Sequence, residues 1–400
     1  MTTVTTVHAA QPNSQPNSGA QLPSLLMVAQ DFPPELGGIQ TYAWELARRF
    51  ARSCRRFAVV APHVAGDTAF DATCSFRIFR VGRGSDRFPW TAMWAVPRLA
   101  LAHGFTTTFH AQWQSAIGAW RARLERYYLA AHGRELLLRP FARVPPAQAA
   151  YDTLRSRILT GAARLFPVSR YTAGLLGEIG VNPAQIEVVS NGTDPDHFQP
   201  TDASELRRAL ALDREPVLLT VGRLVRRKGI DTVLAALPAV LALVPDLQYL
   251  IVGAGEDRSR LEQLVQTLSL GKHVRFVGAV PFSDLPRYFG LCDVFVTPSR
   301  SEPPSVEGFG LVFLEANACG KPVIGTRSGG IPDAIVDGQT GLLVEPDRPA
   351  ELADAMLALL TDPQRARRLG ECGRARAATG YTWEVTHARI LAAMVRDASP

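Results

Sequence analysis

The second half of the chain alternates strictly between strand-like and helical segments, and this pattern constrains the fold more than any other feature. The apolar run VLLTVGRL, residues 217–224, leads into the helical pattern IDTVLAALPAVLALVP. The strand-like runs LQYLIVGAG, VRFVGAV, VFVTP, PVIGTRSGG and GLLVEP follow, with helical segments between them. Such alternation is typical of a parallel sheet with helices on both faces. We therefore predict a doubly wound α/β domain in this half.

The first half opens with the same order of elements. The apolar run LLMVAQDFPP, residues 25–34, and the pair Gly37-Gly38 precede the helical pattern IQTYAWELARRFA, and RFAVVAP is the next strand. A chain of 400 residues is too long for one ordinary core. We predict two Rossmann-like domains, residues 24–204 and 205–380. The polar, proline-bounded segment HFQPTDASELRRALALDREP would join them.

The two ends of the chain differ in character. Residues 1–23 are polar and lack the basic and apolar regions of a signal peptide, so we predict a disordered tail. The last segment, YTWEVTHARILAAMVRD, has Trp383, Ile390, Leu391 and Met394 at helical spacing. It is predicted to be a terminal helix whose apolar stripe docks on another part of the protein.

Charge and cysteine content bear on location. The net charge is +6, and 40 of the 43 basic residues are arginines, the three lysines being Lys228, Lys272 and Lys321. Either the base composition of the genome or an arginine-rich face that attracts phosphate groups or an anionic membrane accounts for this. The five cysteines form no C-x-x-C pair, and no apolar run approaches the roughly 18 residues of a membrane span. We expect a cytoplasmic protein with reduced thiols, with contact to a membrane surface left open.

Ligands of open α/β sheets bind where strands end and helices begin, and three loops there carry suitable residues. Gly37-Gly38 precedes a helix, GRLVRRKGID places Arg223 and Lys228 between a strand and a helix, and AAHGREL places His132 at a strand end. Backbone amides and two cations would suit a diphosphate. The alternatives are a turn that needs glycine, a solvated basic loop and a structural histidine. Arg226 and Arg227 are expected to face solvent.

The fourth loop, SEPPSVEGFGLVFLEANACG, contains two glutamates around a glycine-flanked Phe309. Gly308 and Gly310 free the backbone, and a helix is predicted to begin near Leu311. Glu307 would precede that helix, and Glu315 would lie about one turn inside it, among apolar residues. A charge in such surroundings is costly unless something binds it. Both carboxylates could then contact one extended ligand, the alternative being a capping glutamate and an incidental one.

Two further motifs suggest other chemistry. Asp194-Pro195-Asp196 is a D-x-D string of the kind that binds a divalent metal, but no cluster of carboxylates accompanies it in the sequence. Gly253-Ala254-Gly255 resembles part of a dinucleotide fingerprint, but Asp257 and Arg258 follow where the third glycine is expected. We therefore predict neither a metal site nor a dinucleotide cofactor.

Many of these motifs together resemble one family. The chain is similar, over nearly all of residues 24–398, to the retaining family 4 glycosyltransferases of GT-B fold. The segments that carry the resemblance are DFPPELGGIQTY, AAHGREL, PVSRYTAGLL, VVSNGTDPDHFQP, VGRLVRRKGID, LIVGAGED and PSRSEPPSVEGFGLVFLEANACGKPVIGTRSGGIPDAIVDGQTGLLVEP. Within the family, it looks most like bacterial enzymes that transfer mannose from GDP-mannose to phosphatidylinositol mannosides.

The resemblance implies a role for each candidate residue. Two domains would face each other across a cleft, with the nucleotide sugar on the second and the acceptor on the first. Arg223 and Lys228 would neutralise the diphosphate, and Glu315 would hold the ribose. The remaining residues would contact other parts of the donor. Gly37 and Gly38 would approach the diphosphate, and His132 would approach the 6-hydroxyl side of the sugar. Glu307, together with Gly308, Phe309, Gly310 and Leu311, would contact the other sugar hydroxyls, whereas Val277 and Gly278 would contact the base. The final helix would cross back to the first domain.

The resemblance also implies the reaction. A hexose would pass with retention, and without a metal ion or other cofactor, from GDP-mannose or a UDP-sugar to a lipid-linked or polysaccharide acceptor. The expected location is the cytoplasm, at the inner face of the plasma membrane if the acceptor is a lipid. No nucleic acid partner is expected. The alternative is an inactive module that binds nucleotide sugars or a membrane surface, and the incomplete glycine fingerprint disfavours a dinucleotide oxidoreductase.

Overall fold

The computed structural model describes residue 22 and residues 24–35, 37–124 and 126–398, and it contains two six-stranded sheets. All the strand pairings within these sheets are parallel. The first sheet contains β1 (Leu25–Val28), β2 (Phe57–His63), β3 (Arg77–Arg83), β4 (Thr107–His110), β5 (Arg126–Ala131) and β6 (Arg164–Pro167). The second contains β7 (Val217–Val221), β8 (Gln248–Val252), β9 (Val274–Gly278), β10 (Val294–Val296), β11 (Val323–Thr326) and β12 (Gly341–Val344).

Both sheets have the same doubly wound topology. The strand orders are β3-β2-β1-β4-β5-β6 and β12-β11-β10-β7-β8-β9, so the order reverses between β1 and β4 and between β7 and β10. Ligands of such sheets bind outside the carboxyl ends of the strands at these reversal points. The predicted fold class, α/β with two Rossmann-like domains, is confirmed.

Helices connect the strands. Those associated with the first half are α1 (Gly38–Ser53), α2 (Asp67–Asp71), α3 (Phe88–His103), α4 (Ile117–Arg121), α5 (Arg134–Leu137), α6 (Pro145–Thr160), α7 (Arg170–Glu178) and α8 (Ser204–Ala209). Those of the second half are α9 (Ile230–Leu241), α10 (Arg258–Thr267), α11 (Leu285–Leu291), α12 (Leu311–Ala318), α13 (Ile331–Ala334), α14 (Pro349–Leu360), α15 (Pro363–Gly380) and α16 (Trp383–Ala398). No helix among the described residues is long and apolar enough to cross a bilayer.

The central strands explain why the sequence shows apolar runs rather than alternation. All four residues of β1 and all five of β7 are buried, because helices cover both faces of each sheet. Short, continuous apolar segments are therefore the pattern that a strand in this position requires.

The last helix, α16, packs on the first half of the chain. Trp383, Ile390 and Met394 are buried there, and Arg49 of α1 forms an ion pair with Glu384 at 2.6 Å. The two segments that pass between the halves meet at an isolated bridge of Thr193 with Thr382. The apolar stripe in the sequence thus matches a buried helix face.

The start of the fold lies slightly earlier than predicted. Leu22 belongs to the predicted tail, but it is buried and its carbonyl oxygen accepts a hydrogen bond from the amide of Arg55 at 3.1 Å. The prediction of disorder is wrong for this residue, because its side chain joins the core below β1. The other residues of the predicted tail, 1–21 and 23, lie outside the described residues.

Candidate active site

The loop before α12 lies directly against the first half of the chain. Gly308 contacts the backbone of His132 so closely that a Cβ on Gly308 would overlap the carbonyl oxygen of His132. A Cβ on Gly133 would lie 3.4 Å from the side chain of Val306 and 3.7 Å from Cα of Gly308. The carboxyl end of β5 and the glycine-rich loop of the second half are therefore in direct contact, at the place where the sequence predicts the cleft between the two domains.

Glu307 forms the centre of a cluster of charges in this cleft. Its Oε2 accepts hydrogen bonds from Nζ of Lys228 at 2.6 Å and from Nη1 of Arg227 at 2.7 Å. Burial by itself would raise the pKa of Glu307, but the two positive charges outweigh burial and lower the pKa to about 2. The carboxylate is therefore ionised at neutral pH. No described side chain donates a hydrogen bond to its Oε1.

Lys228 and Arg227 come from a single turn of 3₁₀-helix, Arg226–Lys228, between β7 and α9. The side chain of Lys228 folds back over Gly222 at the end of β7, where a Cβ would lie 3.6 Å from Cε. Burial lowers the pKa of Lys228, and the carboxylate of Glu307 opposes this effect. The predicted solvent exposure of Arg227 is wrong, because the turn directs its guanidinium to Glu307, whereas Arg226 is exposed as expected.

Arg223 has a different environment from Lys228. It follows β7 by two residues and its side chain is exposed, without a hydrogen-bond or ion-pair partner among the residues described. Its charge is close enough to add to the lowering of the Lys228 pKa that burial causes. Arg223 therefore places a second, solvated cation near the Lys228–Glu307 pair.

Glu315 lies in the second turn of α12, which begins at Leu311 as predicted. Its carboxylate has no hydrogen-bond or ion-pair partner within the described part of the chain. Burial raises the pKa of Glu315 to about 7, although the charge of Lys228 opposes the shift. Lys228 therefore links the two glutamates electrostatically, and no described residue forms an ion pair with Glu315.

The residues between the glutamates shape the start of α12. Gly310 has φ of 94°, which favours glycine, and it is the residue that precedes the helix. Phe309 is buried and stacks on Tyr381, with ring centroids 6.3 Å apart, at the segment that leads into α16. This contact ties the glycine-rich loop to the crossing between the two halves.

His132 follows β5 and points toward the first half's interior. Its Nε2–H donates a hydrogen bond to the carbonyl of Ala111 at 3.0 Å, and its ring packs edge-to-face on Tyr42 at 4.8 Å. Burial lowers the pKa of His132, opposed by the charge of Glu135. The ring is therefore neutral at pH 7 and retains an unprotonated Nδ1.

The other predicted site residues, Gly37, Gly38, Val277 and Gly278, lie outside the cluster of Glu307, Lys228 and Arg227. Gly37 and Gly38 form the exposed amino end of α1, and a Cβ on Gly38 would lie 3.8 Å from the side chain of Leu311. This contact brings the start of α1 next to the start of α12. Val277 and Gly278 end β9, the edge strand that is separated from β7 by β8.

A group of polar residues in the first half was missed by the sequence analysis. Gln30, Gln112, Gln114 and Glu135 each have a buried side-chain oxygen that has no hydrogen-bond partner among the described residues. These residues follow β1, β4 and β5, which are adjacent in the sheet. Burial raises the pKa of neighbouring Asp31, opposed by a hydrogen bond with Gln112. Their positions after strand ends were the signal that could have revealed them.

Comparison with known proteins identifies the family. Residues 36–197 match the model of glycosyltransferase family 4, and residues 202–376 match that of the group 1 glycosyl transferases. The chain is 35% identical, over 92% of its length and 96% of the relative's, to a GDP-mannose-dependent α-(1-6)-phosphatidylinositol monomannoside mannosyltransferase of Mycobacterium tuberculosis. This chain belongs to the family 4 glycosyltransferases. It is an enzyme that transfers a sugar from a nucleotide sugar.

Other relatives of this glycosyltransferase agree with the assignment. A GDP-mannose-dependent enzyme of Corynebacterium glutamicum, which acts on monoacylated phosphatidylinositol monomannoside, is 31% identical over 91% of this chain and 96% of the relative. The structure of a sucrose-phosphate synthase from Thermosynechococcus elongatus superimposes with a TM-score of 0.77 and 27% identity, covering 95% of this chain and 100% of that one. HepE of Anabaena, solved with UDP, shares the fold with a TM-score of 0.78, 19% identity and coverage of 93% and 100%.

The two competing motifs have structural explanations in the glycosyltransferase. The carboxylate of Asp194 accepts hydrogen bonds from the amides of Asp196 and His197, so the D-x-D string forms a turn. In the G-x-G string, Gly253 and Gly255 let the backbone approach that of the loop after β7, where the amide of Leu224 donates to the carbonyl of Ala254 at 2.9 Å. These two glycines therefore allow the loops that follow β7 and β8, which are adjacent strands, to pack backbone against backbone.

Proposed function

We propose that this enzyme transfers mannose from GDP-mannose, with retention of the anomeric configuration, to a phosphatidylinositol mannoside or a similar lipid-linked acceptor. The observation that carries the proposal is the similarity to the phosphatidylinositol monomannoside mannosyltransferase along almost the full length of both chains. The charge cluster around Glu307 supports it, because it offers separate groups for a diphosphate and for sugar hydroxyls.

The cations of the cleft would stabilise the leaving group. When the bond between the sugar C1 and the phosphate oxygen breaks, negative charge develops on the nucleotide diphosphate. The ammonium group of Lys228 has three N–H donors, and one of them donates a hydrogen bond to Glu307, so two remain for phosphate oxygens. Arg223 would approach from the solvent side, and the start of α12 adds backbone amides. Fixed charges of this kind would do the work that a metal ion does in other transferases.

The two glutamates would bind different parts of the donor. The Oε1 of Glu307 has no donor among the described side chains, and we assign it to a hydroxyl of the mannose. Glu315 lies in the second turn of α12, and we assign it to the ribose hydroxyls. These hydroxyls would donate the hydrogen bonds that no described residue donates to its carboxylate. His132 would accept a hydrogen bond from the 6-hydroxyl through Nδ1, because its Nε2–H is held by Ala111.

The acceptor would bind the polar group at the ends of β1, β4 and β5. The buried oxygens of Gln30, Gln112 and Gln114 need hydrogen-bond donors, and the hydroxyls of a polyol supply them. Arg134, exposed at the start of α5, would contact a phosphate on the same headgroup. The attacking hydroxyl would bond to C1 on the face that the phosphate leaves, and its proton would pass to the leaving phosphate oxygen.

The location follows from the proposed acceptor. A lipid-linked acceptor lies in a bilayer and GDP-mannose is water-soluble, so we propose that the enzyme works in the cytoplasm in contact with a membrane surface. The roles of Gly37, Gly38, Val277 and Gly278 in donor binding stay predictions from the family resemblance.

A donor panel tests the proposal. The melting temperature is measured with GDP-mannose, GDP-glucose, UDP-glucose and UDP-galactose, and transfer is then measured onto phosphatidylinositol monomannoside in vesicles. We expect GDP-mannose to give the largest stabilisation and the only efficient transfer, unchanged by EDTA, with an α-linked product in the NMR spectrum. Efficient transfer from a UDP-sugar, a β-linked product or loss of activity in EDTA would each contradict the corresponding part of the proposal.

A further inference from the structure

Helix α3 is apolar on two opposite faces. Phe88, Ala92, Val96 and Ala100 point inward at spacings of four residues and are buried. On the outer face, Trp90, Trp94 and Leu101 are 65%, 50% and 87% exposed. A helix that is apolar all round is normally covered on all sides, and contiguous exposed apolar surface marks an interaction site. The outer face of α3, defined by these three residues, is therefore a candidate docking surface.

The outer face is held firmly in place. Helix α4 crosses α3 at Gly118, where a Cβ would lie 2.9 Å from the carbonyl oxygens of both Ala92 and Met93. The guanidinium of Arg121, in α4, lies 4.5 Å from the ring centroid of Trp94. Because backbone packing and a cation–π contact fix the helix, the tryptophans are presented to solvent by the fold itself.

The charge around this face is strongly positive. Residues 83–143 contain nine arginines against three acidic residues, a net charge of +6, which equals the net charge of the whole chain. Arg87 and Arg98 lie on the outer side of α3, and Arg121 and Arg123 lie at the end of α4. All four are exposed, and none forms an ion pair with another described residue. This arrangement predicts a partner that is both apolar and negatively charged.

We propose that the outer face of α3, with these four arginines, docks the enzyme on an anionic lipid bilayer. Tryptophan side chains are favoured at the boundary between headgroups and acyl chains, and leucine can enter the acyl region. Each arginine near an anionic bilayer adds electrostatic attraction, which salt weakens. A second copy of this chain is disfavoured as the occupant, because a twofold contact would bring the arginines of both copies together.

The position of α3 relates this surface to the cleft. The helix begins just after β3, at the same edge of the sheet as the residues that follow β1, β4 and β5. Trp90, in its first turn, is therefore nearer the cleft than Leu101 is. A lipid acceptor could keep its acyl chains in the bilayer while its headgroup enters the cleft. This step rests on the proposed function, whereas the binding of the enzyme to a bilayer does not depend on it.

Vesicle sedimentation of the full chain tests the proposal without any sugar. We expect binding to phosphatidylcholine vesicles that contain phosphatidylglycerol, weakening as salt rises, and little binding to phosphatidylcholine alone. The combined variant Trp90→Ser, Trp94→Ser, Leu101→Ser should bind at least about tenfold more weakly. The matched control is Leu243→Ser, which removes a similarly exposed leucine, 69% exposed, from the second half. Equal binding by the combined variant and the control would overturn the proposal.

Charge reversal provides a second arm. Arg98→Glu with Arg123→Glu should reduce vesicle binding about tenfold or more, whereas Arg367→Glu with Arg368→Glu, on exposed positions of α15, should change it little. Both variants should transfer sugar normally to a water-soluble, deacylated acceptor. If the chain instead self-associates without vesicles, and the serine substitutions abolish this, the face is an interface between copies and the proposal is wrong. Loss of transfer from every donor, with vesicle binding intact, would count only against the proposed function.

Discussion

Gly308 of the second half packs against the main chain of His132 of the first half, with no room for a side chain between them. The contact joins the loop that contains Glu307 to the end of β5. It therefore sets the spacing between the residues that would bind the donor and those that would bind the acceptor. Small changes at this point should alter the width of the cleft.

The first prediction is that Gly308→Ala impairs catalysis by forcing the walls of the cleft apart. The new Cβ would meet a backbone oxygen, which cannot move away as a flexible side chain can, and such overpacking costs about 1–3 kcal/mol. We expect a large loss of kcat/KM together with a lower melting temperature. Gly174→Ala, in α7 with no atom within 4 Å of its new Cβ, is the control. Wild-type kinetics for Gly308→Ala would show that the contact does not govern the cleft.

The second prediction concerns the cation that holds Glu307. Lys228→Ala removes one donor to Oε2 but leaves Arg227 at 2.7 Å, so the buried carboxylate keeps a partner and the protein should still fold. Turnover should fall by about 10²–10³-fold, as when a donor to a developing negative charge is removed. Steady-state kinetics measure the turnover of Lys228→Ala, and Arg226→Ala, which changes an exposed neighbouring residue, is the control. Similar rates for the two variants would remove Lys228 from the catalytic machinery.

The third prediction uses the raised pKa of Glu315. Its pKa is about 7 in the folded chain and near 4.5 when unfolded, so between these values the unfolded chain gives up the proton and the folded one keeps it. The contribution of Glu315 to stability is therefore present below about pH 4.5 and lost as pH rises through 7. Glu315→Gln should stabilise the protein at pH 8 by about 1–3 kcal/mol, since the shift is partly screened at this half-buried position.

The same variant should bind the nucleotide less well. If Glu315 accepts hydrogen bonds from ribose hydroxyls, the affinity for GDP should rise between pH 6 and 8 in the wild type and lose this dependence in Glu315→Gln. Denaturant unfolding and calorimetry at several pH values measure the two effects. Glu371→Gln, exposed on α15, is the control. An unchanged GDP affinity in Glu315→Gln would exclude the ribose contact but leave the stability prediction standing.

The fourth prediction is that His132 acts as a neutral group. Burial lowers its pKa below the ordinary value of 6.5, so it should not titrate in the active range above that pH. His132→Gln keeps a donor for Ala111 but moves the acceptor away from the position of Nδ1, and we expect kcat to fall about 10²-fold with the shape of the pH profile unchanged. The exposed His63→Gln serves as control. A profile in the wild type that rises through pH 6.5–7.5, and flattens in His132→Gln, would contradict a neutral role.

Much of the architecture could be read from local patterns. Continuous apolar runs with helical segments between them predicted two parallel sheets, because a strand covered on both faces needs no polar side. The stripe of Trp383, Ile390 and Met394 likewise indicated a docked terminal helix. The loops that carry Lys228, Glu307 and His132 could be located as well, because ligand sites of this fold lie where strands end.

The orientation of individual side chains depended on the tertiary structure. Arg226 and Arg227 are neighbours of the same type, but a 3₁₀ turn exposes one and pairs the other with Glu307, 80 residues away. The glycines at 253 and 255 resemble a cofactor motif in the sequence, yet they allow two backbones to pack. Gln30, Gln112 and Gln114, whose buried oxygens have no partner in the described part of the chain, lie at one edge of the sheet only because β1 and β4 are adjacent.

The sequence by itself thus determined the order of the strands and helices and the loops that could carry chemistry, because both depend on short stretches of chain. Only the tertiary structure decided which charges meet, which glycines fit against a distant backbone, and that the described part of the chain leaves the outer face of α3 exposed. These properties depend on distances between segments far apart in sequence, and packing between the elements sets those distances.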